Sequence, residues 1–277
     1  MASIAVTPIA GALGAEIGGV DLGRPLPPAD LRLIRQAWLD HLVLFFRDQQ
    51  LTPASFLRLA EAFGTPVEYP MVKGIPGYPV ITEVVKRPHE RANFGGIWHS
   101  DTAYLETPAM AAMLYAVEVP PHGGDTIFAN QYLAYETLSP PLRRFLDGLT
   151  AVNSSAKADV SRTREDMIRR DGDDAPRPDY AAEHPVVRTH PETGRRSLYV
   201  NVEHTAHFKG MTEAESAPIL DYLFRHQVRP EFTCRFSWRP GSLAFWDNRA
   251  TQHNPVNDYH GHRRSMLRIS LAGDRPR

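Results

Sequence analysis

The sequence has a single cysteine and almost no net charge. Because Cys234 is alone, no disulfide can form within the chain, which is typical of proteins from a reducing compartment. The formal net charge of −1 provides no overall basic field for nucleic acid or for an anionic membrane surface. We expect no nucleic-acid partner.

Long hydrophobic runs and a targeting segment are also lacking. Residues 1–8 contain no charged stretch followed by an apolar one, so the sequence predicts no signal peptide. The apolar run at 42–46 (LVLFF) is far too short to span a bilayer. Together with the lone cysteine, these features predict a cytoplasmic protein with no membrane partner.

The chain of 277 residues is long enough for one large domain or two small ones. No internal repeat divides it, and we expect a single domain over residues 1–277. Residues 156–182 are polar, dense in arginine and aspartate, and poor in apolar anchors. We interpret this segment as a long loop and as a candidate lid.

The remaining patterns predict a mostly β protein with flanking helices. Helical spacing of apolar residues predicts helices at 28–41, 52–64 and 212–227, with Thr52 as the N-cap of the second, and shorter ones at 132–138 and 140–149. Short apolar segments bounded by turn residues predict strands at 43–46, 109–118, 126–129, 185–189, 197–201, 232–238, 242–246 and 268–271. Many short strands favour an antiparallel sandwich or barrel.

A histidine and an acid two residues apart, His99 and Asp101, raise the question of a metal site. On an extended segment the two side chains project from one face and can converge on one ion. A third ligand is available in His253, which we expect in a polar turn after the apolar strand at 242–246. Two histidines and one carboxylate form the facial triad that leaves three positions of an octahedral iron(II) open for oxygen chemistry.

Two arginines follow His253 along the chain. If residues 263–268 form a strand, Arg264 and Arg268 share one of its faces. Arginine binds carboxylates bidentately, and a buried guanidinium is costly unless an anion neutralises it. The pair therefore predicts two anionic ligands, or one ligand and an internal carboxylate.

These motifs together resemble the taurine/2,4-dichlorophenoxyacetate dioxygenase family of iron(II)- and 2-oxoglutarate-dependent oxygenases. The resemblance runs over nearly the whole chain and depends on segments 14–22 (GAEIGGVDL), 98–101 (WHSD), 122–126 (HGGDT), 246–253 (WDNRATQH) and 263–268 (RRSMLR). It implies a double-stranded β-helix, which is a cupin-like jelly-roll barrel. It also implies a homodimer or homotetramer.

The resemblance assigns roles position by position. It implies that His99, Asp101 and His253 bind iron(II), and that Thr126 and Arg264 hold the remote carboxylate of 2-oxoglutarate. The other co-substrate would be O2. Arg268 is expected to bind the anionic group of the primary substrate. The other residues expected around the substrate are Tyr69, Val72, Gly95, Tyr104 and His204. We also interpret Trp246 and Asn248 as shaping the strand end that presents His253.

Three positions depart from members of the family that prefer taurine. Those members have a histidine, a tyrosine and an asparagine where this chain has Tyr69, Val72 and Gly95. The arginine for the anionic group is kept, but the polar shell for a small aminosulfonate is not. We therefore expect a less polar anion, such as a sulfate ester, an alkyl sulfonate or an aryloxyalkanoate. It would be hydroxylated, with succinate and CO2 as co-products and C–O or C–S cleavage as a consequence at some carbons.

Two other functions are compatible with parts of the pattern. A zinc-dependent hydrolase at the same triad would need no oxygen, and it leaves Arg264 and Thr126 without a role. A non-catalytic β-barrel that binds a small anion would keep its ligand after Asp101→Ala. Rival metal pairs are His122 with Asp125 and His260 with His262, which we interpret as turn and surface residues.

Overall fold

The computed structural model describes residues 4–70, 72–93, 95–157 and 180–277. Most of the candidate lid at 156–182, namely residues 158–179, lies outside the described residues. Its role as a lid stays a prediction.

The strands are short, as the sequence predicts. In chain order they are β1 (Ala5–Pro8), β2 (Ala15–Gly18), β3 (Val43–Phe46), β4 (Pro66–Val67), β5 (Ile81–Lys86), β6 (Ala111–Glu118), β7 (Thr126–Asn130), β8 (Thr150–Ser154), β9 (Ala181–Pro185), β10 (Val187–Thr189), β11 (Arg196–Leu198), β12 (Thr205–Phe208), β13 (Thr233–Phe236), β14 (Leu243–Asp247), β15 (Thr251–Pro255) and β16 (Arg264–Leu271).

The helices are α1 (Pro28–His41), α2 (Pro53–Glu61), α3 (Gln131–Glu136), α4 (Pro140–Leu146) and α5 (Glu213–His226). Thr52 caps α2 as expected, because its hydroxyl accepts a hydrogen bond from the Ser55 backbone N–H. Thr212 and Glu215 form the same kind of capping box at the start of α5. The predicted helices are therefore present, and α2, α3 and α4 are shorter than expected.

A large, mainly antiparallel sheet runs in the order β1-β2-β3-β14-β6-β16-β4, and β5 also pairs with β16. A smaller sheet has the order β13-β7-β15. Aromatic side chains join the two sheets: Phe45 of β3 stacks on Phe236 of β13 with ring centroids 4.0 Å apart, and Phe128 of β7 contacts Trp246 of β14. The smaller sheet thus covers one face of the large sheet.

Helices α1 and α2 cover the opposite face of the large sheet. Trp38 of α1 stacks on Phe245 of β14 at 4.6 Å, and Phe56 of α2 lies in the same buried cluster. Because both faces of β14 are covered, all five of its residues are buried. Full burial of one such aromatic side chain contributes about 1.5–3 kcal/mol. The strand that leads to the 247–253 segment is therefore rigidly held.

Three local expectations are wrong in detail. Residues 185–189 are divided between β9 and β10, since the chain changes sheets at Val186. Strand β16 begins at Arg264 rather than Arg268, so both arginines lie on it. His253 lies in strand β15 rather than in a polar turn, because the polar side chains of this strand are buried within the protein instead of facing water.

Candidate active site

Backbone pairing brings His99 and His253 together. The His99 N–H donates to the His253 carbonyl at 3.1 Å, and the His253 N–H donates back to the His99 carbonyl at 2.9 Å. Residues directly opposite each other in an antiparallel pair have adjacent side chains. The two imidazole rings accordingly lie with their centroids 4.1 Å apart, so the extended backbone predicted around His99 is present.

Asp101 lies where this extended segment turns. Its backbone N–H donates to Asn248 Oδ1 at 3.3 Å, and the same oxygen accepts from Trp246 Nε1 at 2.9 Å. One residue earlier, Ser100 Oγ donates to the Thr251 carbonyl at 2.7 Å. Trp246 and Asn248 therefore fix the position of Asp101 relative to β15, which extends the presenting role expected of them for His253.

The three side chains fit a metal ion. His99 Nε2 lies 3.6 Å and His253 Nε2 lies 3.9 Å from Asp101 Oδ1. One ligand atom from each residue falls within 4.8 Å of the others, and all three residues are buried. Asp101 Oδ2 is buried with no hydrogen-bond partner in the described part of the chain. Such an oxygen is costly unless a cation compensates it, so the donor set suits a divalent ion.

The electrostatics keep the acid ionised and one histidine neutral. Burial opposes the charge on Asp101, but Arg268 and the two histidines outweigh it and hold the pKa of this carboxyl well below its usual range. Burial and the neighbouring His99 lower the pKa of His253. Burial alone would lower the pKa of His99, yet Glu203 and Asp101 raise it to about 10. Asp101 and His253 are thus in the forms that bind metals.

Arg268 lies directly beside the triad. Its Nη2 is 2.7 Å from Asp101 Oδ1, and its guanidinium lies over the ring of Tyr69 at 5.1 Å. The internal carboxylate that the sequence left open as a partner is therefore Asp101. Within the described residues Arg268 Nε still has no hydrogen-bond partner, although the residue is only 6% exposed. The guanidinium retains donor capacity for an anion.

Arg264 is buried, and none of the carboxylates that the structure describes forms an ion pair with it. Its Nε and Nη2 have no hydrogen-bond partner among residues that the structure describes, and burial lowers the pKa of this guanidinium. Its guanidinium lies over the ring of Trp238 at 5.6 Å. Trp238 Nε1 in turn donates to Thr126 Oγ1 at 3.0 Å, which leaves the Thr126 hydroxyl hydrogen available to a ligand.

A cavity connects the triad to both arginines. It lies between the two sheets and has mainly apolar walls with a few polar groups, as ligand sites commonly do. Its lining residues are Val84, His99, Leu114, Thr126, Phe128, Trp246, His253, Pro255, Arg264 and Arg268. The structure therefore brings together the predicted triad, Thr126 and both arginines.

Some of the residues expected around the substrate lie close together in the structure. Tyr104 donates from its hydroxyl to the Tyr69 hydroxyl at 3.4 Å, and its ring lies 5.0 Å from that of His204. Burial lowers the pKa of His204 to about 4, so this imidazole is neutral. Gly95 has a φ of +64°, and a Cβ there would lie 2.9 Å from His99 Cε1. Val72 is buried, and its role stays a prediction.

The rival metal pairs have other contacts. Asp125 accepts from Arg235 Nε at 2.6 Å and from Ser237 Oγ at 3.0 Å. The His122 ring packs against that of His262. Among the described residues, the only cluster that could hold a metal is the predicted triad.

Sequence reasoning missed Glu203. Its Oε2 lies 2.8 Å from His99 Nδ1, and the side chain is 9% exposed. In the sequence it stands beside His204 in the segment 201–207 (NVEHTAH), and nothing there distinguishes it from a surface acid. Only the fold brings residue 203 next to residue 99.

Comparison with known families agrees with this geometry. Residues 5–270 match the family described as "Taurine catabolism dioxygenase TauD, TfdA family". The chain belongs to this family. A member from Pseudomonas putida named alpha-ketoglutarate-dependent sulfate ester dioxygenase is 37% identical over 98% of this chain and 90% of its own length. A protein from Acinetobacter baylyi named alkylsulfatase is 36% identical over 96% of this chain and 84% of its own.

Solved structures support the same assignment. The crystal structure of a taurine dioxygenase from Burkholderia xenovorans is 39% identical, covers 99% of this chain and 91% of its own, and has a TM-score of 0.83. The expected double-stranded β-helix and the enzyme class, a TauD/TfdA-family dioxygenase that uses iron(II), 2-oxoglutarate and O2, are thereby confirmed. In the described ranges, the helices are too short or too polar to cross a membrane.

Proposed function

We propose that this TauD/TfdA-family dioxygenase hydroxylates the carbon next to the ester oxygen of a small organic sulfate. The observation that carries the proposal is the pair of buried arginines on β16, which have unpaired nitrogen atoms in the described part of the chain and line the same cavity as His99 and His253. Arg264 needs an anionic ligand to neutralise it, and Arg268, although paired with Asp101, keeps a free nitrogen that can bind a second anion when Asp101 binds the metal. The names of the relatives from Pseudomonas putida and Acinetobacter baylyi favour a sulfate ester as one of these two anions.

The proposed roles of the site residues follow from their positions. His99, Asp101 and His253 hold iron(II), while Arg264 and Thr126 hold the remote carboxylate of 2-oxoglutarate at the far end of the cavity. When bound, iron(II) and 2-oxoglutarate supply the oxidising power from O2, and 2-oxoglutarate is converted into succinate and CO2. The protein itself supplies binding, orientation and exclusion of water.

Arg268 orients the substrate. A guanidinium can hold a sulfate group with two parallel hydrogen bonds, which fixes the direction of the adjoining C–O bond. Because Arg268 Nη2 is 2.7 Å from Asp101 Oδ1, an anion on this arginine lies beside the metal site. The apolar side chains of Leu114, Phe128 and Trp246 line the same cavity and limit the entry of water.

Hydroxylation at this carbon leads to cleavage. The product has a hydroxyl and a sulfate ester on the same carbon. Loss of the hydroxyl proton and breakage of the C–O bond to sulfate then give an aldehyde and free sulfate. This collapse needs no further oxidant, so one O2 and one 2-oxoglutarate are consumed for each sulfate released.

The pocket wall is proposed to select a less polar substrate than taurine. Tyr69, Tyr104 and His204 form a connected wall of aromatic and neutral imidazole rings, and Gly95 keeps the space against His99 open. Val72 is proposed to belong to the same wall. A mixed panel of alkyl sulfates, alkyl sulfonates, taurine and aryloxy acids tests this preference, and taurine as the best substrate would contradict it.

The test of the function uses anaerobic protein loaded with iron(II). Addition of 2-oxoglutarate should produce a visible charge-transfer band, which an alkyl sulfate should shift. Admission of O2 should then release sulfate and succinate in equal amounts. Sulfate release without O2 would instead identify the metal-dependent hydrolase, and ligand binding that survives Asp101→Ala without turnover would identify the binding module.

Three expectations from the sequence join the proposal. They are a single domain over residues 1–277, a homodimer or homotetramer, and a cytoplasmic location. Limited proteolysis, light scattering and cell fractionation test them in that order.

A further inference from the structure

A buried carboxylate contacts the outer nitrogen of one metal-facing histidine. Glu203 Oε2 lies 2.8 Å from His99 Nδ1, and the backbone carbonyl of Ile97 lies 2.7 Å from the same atom. The other ring nitrogen, Nε2, is the one that faces Asp101 at 3.6 Å. Glu203 therefore lies on the side of the imidazole that faces away from Asp101. It is not positioned as a fourth metal ligand.

We propose that Glu203 is a positioning residue for the metal centre, which acts through His99 by holding its ring and placing negative charge on its outer nitrogen. The inference rests on the proposed iron site. It adds a residue outside the three ligands, with an effect on metal affinity that can be measured without turnover.

The Ile97 carbonyl, which hydrogen-bonds Nδ1, and the Glu203 carboxylate close to the same atom determine where the hydrogen of His99 lies. A carbonyl oxygen cannot donate, and an ionised carboxylate cannot either, so Nδ1 must carry the hydrogen. Nε2 is the nitrogen that faces Asp101, and it would bind a metal through its lone pair once its own proton is displaced. An outer carboxylate also makes the ligating nitrogen a better electron donor.

The carbonyl and the carboxylate contribute differently. The Ile97 carbonyl already accepts a hydrogen bond from Nδ1, and it is supplied by the chain immediately before His99. Glu203 comes from the distant segment before β12 and brings a full charge into a place where its side chain is 9% exposed. Because a buried carboxylate is costly without compensation, its position 2.8 Å behind a metal-facing imidazole points to a role at the metal centre.

His253 provides an internal comparison. In the part of the chain that the structure describes, its outer Nδ1 is buried with no hydrogen-bond partner. Its ring packs instead against Trp246 at 4.9 Å and Phe128 at 6.0 Å. The two metal-facing histidines are thus held by different means, His99 by charge and His253 by aromatic packing.

The test compares cobalt(II) affinity of the apoprotein and two variants by competition with a chelator. Glu203→Gln keeps the shape of the side chain and removes its charge, and we expect it to weaken binding about 10- to 100-fold. Glu183→Gln is the matched control. Glu183 is an exposed carboxylate on β9 paired with Lys209 at 2.6 Å, so its variant should bind cobalt as the wild type does.

Proton NMR of the cobalt(II) protein provides a second readout. Each ligating histidine has one exchangeable, strongly shifted Nδ1 proton, and Glu203→Gln should move one of these signals and leave the other in place. Unchanged affinity with both signals unmoved, in a variant with wild-type circular dichroism, would overturn the role of Glu203. Wild-type protein that fails to bind cobalt(II) at all would overturn the proposed metal site and this inference with it.

Discussion

Two buried clusters of charge, one around Asp247 and one around Asp101, differ in how their charges are neutralised. At Asp247 every charge has a protein partner. Arg249 donates to both oxygens of Asp247, through Nε at 2.9 Å and Nη2 at 2.8 Å, and His190 Nε2 lies 3.0 Å away. Arg249 also donates to Glu192, which pairs with Arg35 on the surface.

The cluster around Asp101 is left incomplete by the protein. Asp101 Oδ2, Arg268 Nε and two nitrogens of Arg264 are buried without hydrogen-bond partners in the described ranges. Both clusters incur the cost of removing charges from water. The first is compensated within the chain and stabilises the fold, while the second has the unpaired groups that we propose bind a metal and two anions. This contrast distinguishes a structural network from a ligand site more clearly than burial does.

The largest expected effect comes from breaking the complete cluster. Asp247→Ala leaves Arg249 and His190 buried without their shared carboxylate, so we expect the free energy of unfolding to fall by about 3–5 kcal/mol. Urea denaturation of the apoprotein measures this loss. Cobalt(II) affinity of the protein that remains folded should stay close to that of the wild type.

The same cluster has a defined pH dependence. Burial opposes the charge on Asp247, but Arg249 and His190 outweigh it and lower the pKa of this carboxyl in the folded protein. Its stabilising contribution is therefore complete above the unfolded pKa of about 4 and is lost as the pH falls below it. The stability difference between wild type and Asp247→Ala should be constant from pH 7 to pH 5, and a difference that grew on acidification would contradict this sign.

Arg264→Ala should have the opposite pattern of effects, with a small change in stability and a large loss of ligand affinity. Because no carboxylate within the described ranges forms an ion pair with Arg264, its removal leaves no buried partner unpaired there and should lower the free energy of unfolding far less than Asp247→Ala does. Loss of its two charge-assisted hydrogen bonds should weaken 2-oxoglutarate binding by more than about 100-fold, since each contributes about 1.5–3 kcal/mol. Anaerobic titration of the iron(II) protein measures the change, and wild-type affinity in this variant would remove Arg264 from the site.

Arg268→Gln should weaken the binding of one anionic ligand and leave the binding of the other unchanged. We expect the affinity for an alkyl sulfate to fall about 10- to 100-fold, because a charged hydrogen bond is lost, while 2-oxoglutarate still binds. The shift that substrate causes in the charge-transfer band measures the first, and the band itself measures the second. Equal weakening of both ligands would mean that Arg268 does not distinguish them.

The smallest effect is expected at Gly95. An added Cβ would lie 2.9 Å from His99 Cε1 and 3.2 Å from Nε2, at a residue with a φ of +64°. The left-handed backbone alone costs a side chain about 1–2 kcal/mol, and the contact displaces the imidazole. Gly95→Ala should thus weaken cobalt(II) binding about tenfold, whereas Gly261→Ala, also at positive φ but with open space around its Cβ, should leave binding unchanged.

The two clusters also differ in what the sequence can predict. The triad and the arginines are recognisable because each lies in a local motif whose spacing implies a shared face, and α1 is predicted to the residue because its apolar spacing is regular. The contact between Arg268 and Asp101 remained one alternative of two. Which alternative is correct depends on the position of β16 relative to the turn at Asp101, and this position is a property of the tertiary structure.

What the sequence failed to predict has one physical cause. Strand β15 is polar yet buried, so it has no apolar alternation to reveal it, and His253 was expected in a turn. Glu203 and the His190–Asp247 pair depend on contacts between residues more than 50 positions apart. Single-sequence patterns report which side of an element faces the core, and they contain no information about which distant polar groups meet there.

We infer that the unpaired charges around Asp101 and Arg264 form a site for a metal and a keto acid. The most direct test is the free energy of unfolding of the apoprotein, measured with manganese(II) alone and with manganese(II) plus 2-oxoglutarate. Ligands at 100 times their dissociation constants stabilise by about 2.7 kcal/mol each. We predict two successive increments for the wild type and only the first for Arg264→Ala. Equal stabilisation of both proteins by 2-oxoglutarate, or none of the wild type, would contradict the claim.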